Sequence, residues 1–428
     1  MMTYEETCDY LFSQTPSFEK SGKTGFNEGL ANTLALDEHY GHPHRFFKTI
    51  HVAGTNGKGS VSHTLAAHLQ QAGYRVGLYT SPHLVDFRER IRINGAMIPE
   101  DYVVRFVDDF MKWNQSSITP SFFELTTAMA FRYFADEQVD IAVVEVGLGG
   151  RLDCTNIITP LLSVITNISL DHVDMLGDTL AKIAREKAGI IKPGVPVVIG
   201  EDNGETRPVF EDVAASVHAP IVFAQDKPIV ASATPTKDGG MHYTLTDATA
   251  FTGELGGLCQ AKNTNTVLHA LCQLKQQGIL DRIDYAPFQN VCADTGLMGR
   301  WQKLREEPVV VCDTGHNVGG WEYLSRQLAN VDCHQMHIVF GMVSDKDVAS
   351  VFSMLPQGAH YYLTKAQTHR AIPEARLLQL AQDRGLDAKT YPTVSEAYQA
   401  AMSQAAPDDF VFIGGSTYVV ADFMRNAL

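Results

Sequence analysis

With 428 residues, 45% of them hydrophobic, and a formal net charge of −15, the chain can bury two ordinary cores and lacks the basic balance of a nucleic-acid binder. No apolar run reaches about 18 residues, and the start is polar and acidic rather than basic then apolar, so neither a membrane span nor a secretory precursor is expected. Cys8, Cys154, Cys259, Cys272, Cys292, Cys312 and Cys333 are odd in number, scattered, and form no Cys-x-x-Cys pair, which points to reduced thiols in the cytoplasm.

Residues 1–48 read as a helical lead-in with Tyr4, Leu11 and Phe12 as apolar contacts, a Gly- and Lys-rich loop from Lys20 to Gly29, and a second helix from Leu30 to Tyr40. The densest stretch follows, Thr49-Ile50-His51-Val52-Ala53-Gly54-Thr55-Asn56-Gly57-Lys58-Gly59-Ser60. A β-branched run ends at Ala53, three glycines follow, and Val61 to Ala72 has helical periodicity. Glycines let backbone N–H groups converge on phosphate oxygens, and a helix N-terminus adds partial positive charge. Lys58 then suits the β/γ-phosphates, and Ser60 either caps the helix or helps hold Mg²⁺. The spacing departs from Gly-x4-Gly-Lys-Ser/Thr, so a plain glycine turn before a helix is the competing reading.

Arg75 to His83 reads as a short strand ending in polar residues, and Arg88 to Gly95 alternates basic and apolar residues like a strand with one charged face. Helices are expected over Glu100–Trp113 and about Ser121–Asp136. Asp140 to Val146 is apolar except at Glu145 and runs into Gly147-Leu148-Gly149-Gly150-Arg151-Leu152-Asp153; a second strand, Leu162 to Ile168, leads to Asp171-His172. Carboxylates at the C-terminal ends of parallel strands are where α/β sheets place ligand chemistry. Glu145, His172 and a hydroxyl from Ser60 or Ser81 make a donor set for a hard cation, although a lone histidine is as well explained by structure. The helix Thr179–Ala188, capped by Asp178 and stopped by Gly189, reads by itself as a solvated face carrying Lys182, Arg185, Glu186 and Lys187.

Residues 195–258 turn to strand and loop character, broken by Pro208, Pro220, Pro228 and Pro235, before a helix from Cys259 to Gln277. A change of domain near Ala293 to Arg300 divides the chain into 1–296 and 297–428. Beyond it the pattern restarts: strand Val309–Cys312, turn Asp313-Thr314-Gly315-His316-Asn317, helix Trp321–Ala329, strand His337–Gly341, Asp345-Lys346-Asp347, and a last strand from Phe410.

Taken together, the Gly54–Ser60 loop, Thr80-Ser81-Pro82-His83, Glu145 to Asp153, Asp171-His172, Ala184 to Lys192, Asp313-x-x-His316-Asn317 and Asp345-Lys346-Asp347 closely resemble the folylpolyglutamate synthase/dihydrofolate synthase family of Mur-type amide ligases. The resemblance runs from about residue 25 to the end. It implies an α/β protein with an N-terminal P-loop ATPase domain and a smaller Rossmann-like C-terminal domain. It also implies an ATP-dependent ligase that adds L-glutamate to a folate, with dihydropteroate as an open second substrate. By that resemblance Thr55, Asn56, Gly57, Lys58, Gly59 and Ser60 match the triphosphate loop, with Asn263, Arg300 and Asp313 also contacting ATP. Ser81, Glu145 and His172 match Mg²⁺ ligands, and Lys187 matches a lysine that is carbamylated. Phe123, Glu124, Leu152, Asp153 and Cys154 fall where the pterin or pteroate binds, as does the Gly29-Leu30 loop, where Ala31-Asn32 replaces a usual acid-then-Arg. His316 lies near the glutamate, and the expected catalytic residues are Lys58, Lys187 and His316. A monomer with no nucleic acid or membrane partner is expected. Another Mur-type ligase should carry a further N-terminal nucleotide-binding domain. A regulatory ATPase would not need Glu145, His172 and a second domain bearing Asp313 and His316.

Overall fold

The computed structural model describes residues 2–15, 29–114 and 117–426; the expected loop from Lys20 lies outside them up to Gly29. The chain divides into two compact units: the described residues of Met1–Ser169, Val173–Val230 and Lys262–Gly296 form the first, and Leu170–His172, Ala231–Ala261 and Leu297–Leu428 the second.

The first unit is built on an eight-stranded sheet: β1 Lys48–Ala53, β2 Val76–Tyr79, β3 Ile91–Ile93, β4 Ala96–Met97, β5 Ile141–Glu145, β6 Leu162–Ile165, β7 Val197–Ile199 and β8 Ile221–Phe223. Its order is β4-β3-β2-β5-β1-β6-β7-β8, with β3 and β4 antiparallel and the rest parallel. Every residue of β5 is buried, and so is β1 beyond Lys48, as expected for parallel strands covered on both faces. The strand order reverses around β1, and Val52 stands beside Glu145 while Ala53 stands beside Ile165. The carboxyl ends of β1, β5 and β6 therefore sit at the switch point where such sheets hold ligands. No helix among the described residues is long and apolar enough to cross a membrane.

Several boundaries differ from expectation. The helix after β1 begins at Lys58, not Val61, because Gly57 takes a left-handed φ of +81° and serves as N-cap; Ser60 is thus inside the first turn and not a cap. Thr179, not Asp178, caps the helix Leu180–Ala188, while Asp178 pairs with Lys182 at 2.7 Å. Arg88 to Gly95 is not one strand with a solvated charged face. Asp86 and Glu89 close a capping box on a 3₁₀ turn, Phe87–Arg90, and only Ile91–Ile93 is strand. Arg90 and Arg92 are 2% and 7% exposed. Arg90 donates to His83 Nδ1 at 2.8 Å and lies over the Phe122 ring; Arg92 donates to the Gly95 carbonyl at 2.9 Å. Within 195–258, Pro208 does not break structure but sits in the first turn of a helix, Arg207–Ser216, where a missing N–H costs nothing.

The second unit carries a six-stranded sheet of β12 Gln302–Glu306, β13 Val309–Cys312, β14 Met336–Phe340, β15 His360–Leu363, β16 Asp387–Thr390 and β17 Phe410–Gly414, ordered β12-β13-β17-β14-β15-β16 and parallel except at β12. A three-stranded meander of β9 Val230–Pro235, β10 Met241–Leu245 and β11 Ala250–Gly253 accounts for much of the segment inserted before Lys262. The core is aromatic: Trp321, Phe340, Phe352 and Phe412 are all fully buried, with the Trp321 ring edge-on to Phe340 and Phe412.

Candidate active site

In the first unit the Gly54–Ser60 loop is set by sterics and by polar residues that follow β6. Gly54 has φ +146°, and a Cβ there would fall 1.8 Å from Thr166 Oγ1; at Gly57 it would fall 2.3 Å from Asn263 Oδ1. Glycine is required at both positions, and Asn263 is brought against the loop from the helix Gln260–Gln276. Thr55 N–H donates to the Asn167 carbonyl at 2.9 Å and Asn56 N–H to Asn167 Oδ1 at 3.0 Å. Thr166 Oγ1 donates to the Asn56 carbonyl at 2.5 Å. The Lys58 ammonium folds back to donate to the carbonyls of Gly54 and Thr55, each at 3.0 Å. That contact fixes a cation over the loop at the start of a helix whose N-cap glycine offers no side-chain acceptor. The arrangement suits an anion on electrostatic grounds.

Glu145 ends β5 and is 2% exposed; Ser81 follows the neighbouring strand β2. The loop after Glu145 needs its glycines for close packing. A Cβ on Gly147 would overlap the Phe123 ring at 2.3 Å, and one on Gly150 would meet the Glu186 carbonyl at 2.7 Å. One on Gly189 would meet Arg151 Cα at 2.4 Å. The loop and the helix Leu180–Ala188 therefore lie backbone to backbone, joined by Arg151 N–H to the Glu186 carbonyl at 2.7 Å. Lys182 and Arg185 are exposed as expected of a solvated face, but Lys187 is only 5% exposed.

The proposed pteroate contacts divide. Phe123 is half-buried against Tyr79, and Leu152 is half-buried. Glu124 closes the capping box of the helix Phe122–Asp136, accepting from Ser121 N–H at 2.7 Å. Asp153 is consumed by its own loop: it accepts from Leu148 N–H at 2.8 Å and from Thr155 N–H at 3.0 Å, with burial pushing its pKa up against those bonds. Cys154 is buried beside Thr127, with its thiol pushed well up by burial. Gly29 has φ +99°, and Leu30 precedes the helix Ala31–His39.

The second unit holds His172, Arg300, Asp313 and His316. Asp313 accepts from Trp301 N–H at 2.8 Å and Gly315 N–H at 2.7 Å, and burial raises its pKa. Arg300 donates to Thr314 Oγ1 and to the Gly299 carbonyl. His316 Nδ1 lies 3.0 Å from the Thr314 carbonyl, so that nitrogen carries a proton. Its Nε2 is 3.7 Å from Asp171 Oδ2.

In the sequence Asp171 stands out only as the neighbour of His172, yet it is the hub of this cluster. Its Oδ1 takes Lys346 Nζ at 2.5 Å and its Oδ2 takes Asn317 Nδ2 at 2.9 Å. Burial opposes its ionisation, but His316, His172 and Lys346 outweigh that and hold the carboxyl well below the usual range. His172 is itself pushed down to about 3, chiefly by burial, so it is a neutral imidazole at pH 7, the form that ligates metals. Lys346 supplies the permanent cation. Sequence reasoning also missed Thr166 and Asn167, although polar residues just beyond a parallel strand's carboxyl end were a usable signal.

A glycine loop with a lysine tied over it at the switch point of one parallel sheet, followed by a second α/β unit with its own Asp–His turn, is the organisation of a Mur-type ligase. The chain matches the Mur ligase middle domain over residues 52–270 and the Mur ligase glutamate ligase domain over residues 299–417, and it is an ATP-dependent ligase. Within that class it belongs to the folylpolyglutamate synthase/dihydrofolate synthase family. It is 32% identical to the folylpolyglutamate synthase of Lacticaseibacillus casei, covering 100% of this chain and 99% of that one. It is 33% identical to a probable bifunctional folylpolyglutamate synthase/dihydropteroate synthase of Haloferax volcanii, covering 98% of this chain but only about half of that longer protein. Among solved structures it resembles E. coli FolC in complex with DHPP and ADP, with TM-score 0.82, 30% identity, and coverage of 99% and 97% of the two chains. A bifunctional folylpolyglutamate synthase/dihydrofolate synthase with Mn, AMPPNP and L-glutamate bound gives TM-score 0.82 and 30% identity over 100% and 98%.

Proposed function

We propose that this chain adds L-glutamate to folates in an ATP-dependent reaction, and also converts dihydropteroate to dihydrofolate. The observation that carries the reading is the Gly54–Ser60 cradle, with Lys58 pinned over it, at the sheet's switch point. A carboxylate is a poor acyl donor. ATP's γ-phosphoryl group goes to a carboxylate oxygen of the folate or pteroate, and ADP leaves. The amine of glutamate attacks the acyl carbon, the C–O bond to phosphate breaks, and inorganic phosphate and a proton are released. No protein nucleophile is required. Lys58, with the loop N–H groups, stabilises charge on the transferring phosphoryl group. Asn263 against Gly57, and Arg300 and Asp313 at the β13 turn, supply further nucleotide contacts.

The donor chemistry suits a divalent cation: Glu145 offers buried carboxyl oxygens at the end of β5, and His172 is a neutral imidazole. By the family resemblance Ser81 and Glu145 in the first unit are read as Mg²⁺ donors and His172 as a further one; the ion would offset phosphate charge when bound. Lys187 is buried, and an unmodified ammonium beside a metal is unfavourable, so we read it as carbamylated, an anionic ligand-like group. Phe123, Leu152 and the Gly29-Leu30 loop face the pteroate portion, and His316 the incoming glutamate. The seven free thiols support a reducing, cytoplasmic setting, with the chain working as a monomer.

The test is ADP release measured with ATP and Mg²⁺ against a panel of folates and dihydropteroate, with and without glutamate. Release that needs both a pteroyl carboxylate and glutamate is the expected result. Release without either overturns the reading in favour of a regulatory ATPase.

A further inference from the structure

The geometry points to Lys346 as a positioning residue of this ligase, acting through the Asp171 carboxylate to hold His316 and the His172 backbone in place. The inference rests on the ligase reading above and deepens it. Lys346 was part of a sequence motif to which no role attached, and its side chain is 5% exposed, so it is not a surface cation reaching for solvent. A buried ammonium and a buried carboxylate in contact are each costly alone and tolerable only together, so their separation fixes both.

Asp171 then distributes that constraint. One oxygen, besides Lys346, accepts the His172 backbone N–H at 2.9 Å, which stabilises a left-handed backbone at His172, φ +49°, that a non-glycine residue rarely adopts. The other oxygen accepts from Asn317, whose amide is itself oriented because its Oδ1 caps the helix Val318–Ala329 through Gly320 N–H at 2.9 Å. The same oxygen faces His316 Nε2 at 3.7 Å, while His316 Nδ1 is tied to the Thr314 carbonyl. The ring is thereby tied at Nδ1 to the Thr314 carbonyl, and its Nε2 edge stands within ion-pair reach of the Asp171 carboxylate. Without Lys346, the described contacts of Asp171 are the His172 N–H, the Asn317 amide and the His316 imidazole, and its buried charge has no permanent counter-charge among them.

A double-mutant cycle separates this from the alternative that Lys346 binds a substrate anion directly. Lys346→Met, Asp171→Asn and the double variant are compared in kcat and in KM for glutamate and for ATP. The expected result is a loss of about 10²-fold in kcat for Lys346→Met, the scale for misplacing a reacting group by about 1 Å, with little change in either KM. The double variant should be no slower than Asp171→Asn alone, because the two residues act as one unit. It also removes both charges together, so it keeps the comparison usable if Lys346→Met alone does not fold. A raised glutamate or ATP KM with kcat retained, or losses that multiply in the double variant, would overturn the proposal. Imidazole ¹⁵N spectra of the ligand-free protein give a readout independent of turnover. The His316 and His172 signals should move in the double variant while those of His42 and His44 stay. Unmoved His316 and His172 signals sink the positioning role even if the enzyme proves to be a ligase. Conversely, a parent protein with no folate-dependent ADP release refutes the ligase reading, while the spectra still decide the positioning role.

Discussion

The Gly54–Ser60 loop of the first unit and the Asp171 cluster of the second solve the same problem, holding a charge at a fixed point, by opposite means. In the loop, the backbone does the positioning: two glycines stand where a Cβ would overlap Thr166 or Asn263, and Lys58 is tied to carbonyls three and four residues before it. In the cluster, side chains do it, and Asp171 gathers partners 146 and 175 positions away in the chain. A constraint that demands glycine leaves a sequence signature wherever its partner lies; a charge pairing across the chain leaves almost none.

Lys187→Ala should be nearly inactive while folded, with partial rescue by acetate in the vacated anionic position; full activity and no rescue would return Lys187 to a merely structural role. Lys58→Ala should lose about 10²-fold or more in turnover with the fold intact, the scale for removing one preorganised charge partner. Near-normal turnover would show that the loop does not cradle the reacting phosphate.

Gly54→Ala tests the steric constraint on the loop. A left-handed φ and a blocked Cβ together should cost about 1–3 kcal/mol in urea unfolding. Glu145→Gln should shift the Mg²⁺ dependence of activity while changing ATP affinity less, and an unmoved Mg²⁺ titration would make Glu145 structural.

The smallest effect is a slope against pH. His51 is fully buried in β1, bonded to Thr155, and burial pushes its pKa down to about 3. The unfolded chain therefore binds a proton that the folded one refuses between about pH 6.5 and 3, so stability is full above that window and falls as pH drops through it. His51→Gln should flatten the slope by up to one proton in denaturation measured from pH 7 to 4. The depressed Asp171 carboxyl works in a lower window, its contribution present above the ordinary carboxylate pKa and lost only as pH falls below it. An unchanged slope in His51→Gln would show that this imidazole is not refused its proton by the fold.

The sequence by itself determined what depends on near neighbours. The β-branched run into Gly54, the glycines at 54 and 57, and the Lys at 58 specify a strand, a left-handed turn and a helix start, because φ/ψ sterics act within a few residues. Even Lys187 was legible in principle: it stands four residues after Ile183, on the stripe that the helix buries, while Lys182 and Arg185 fall on the wet side. Tertiary structure alone decided the rest. Whether Arg90 and Arg92 meet water or a protein interior depends on what packs over β3. The same holds for Asp171 and Lys346, which become partners only when distant segments meet. Period and propensity carry no record of such pairings, because a charge on one strand end is indifferent to which distant charge will neutralise it until the chain has folded.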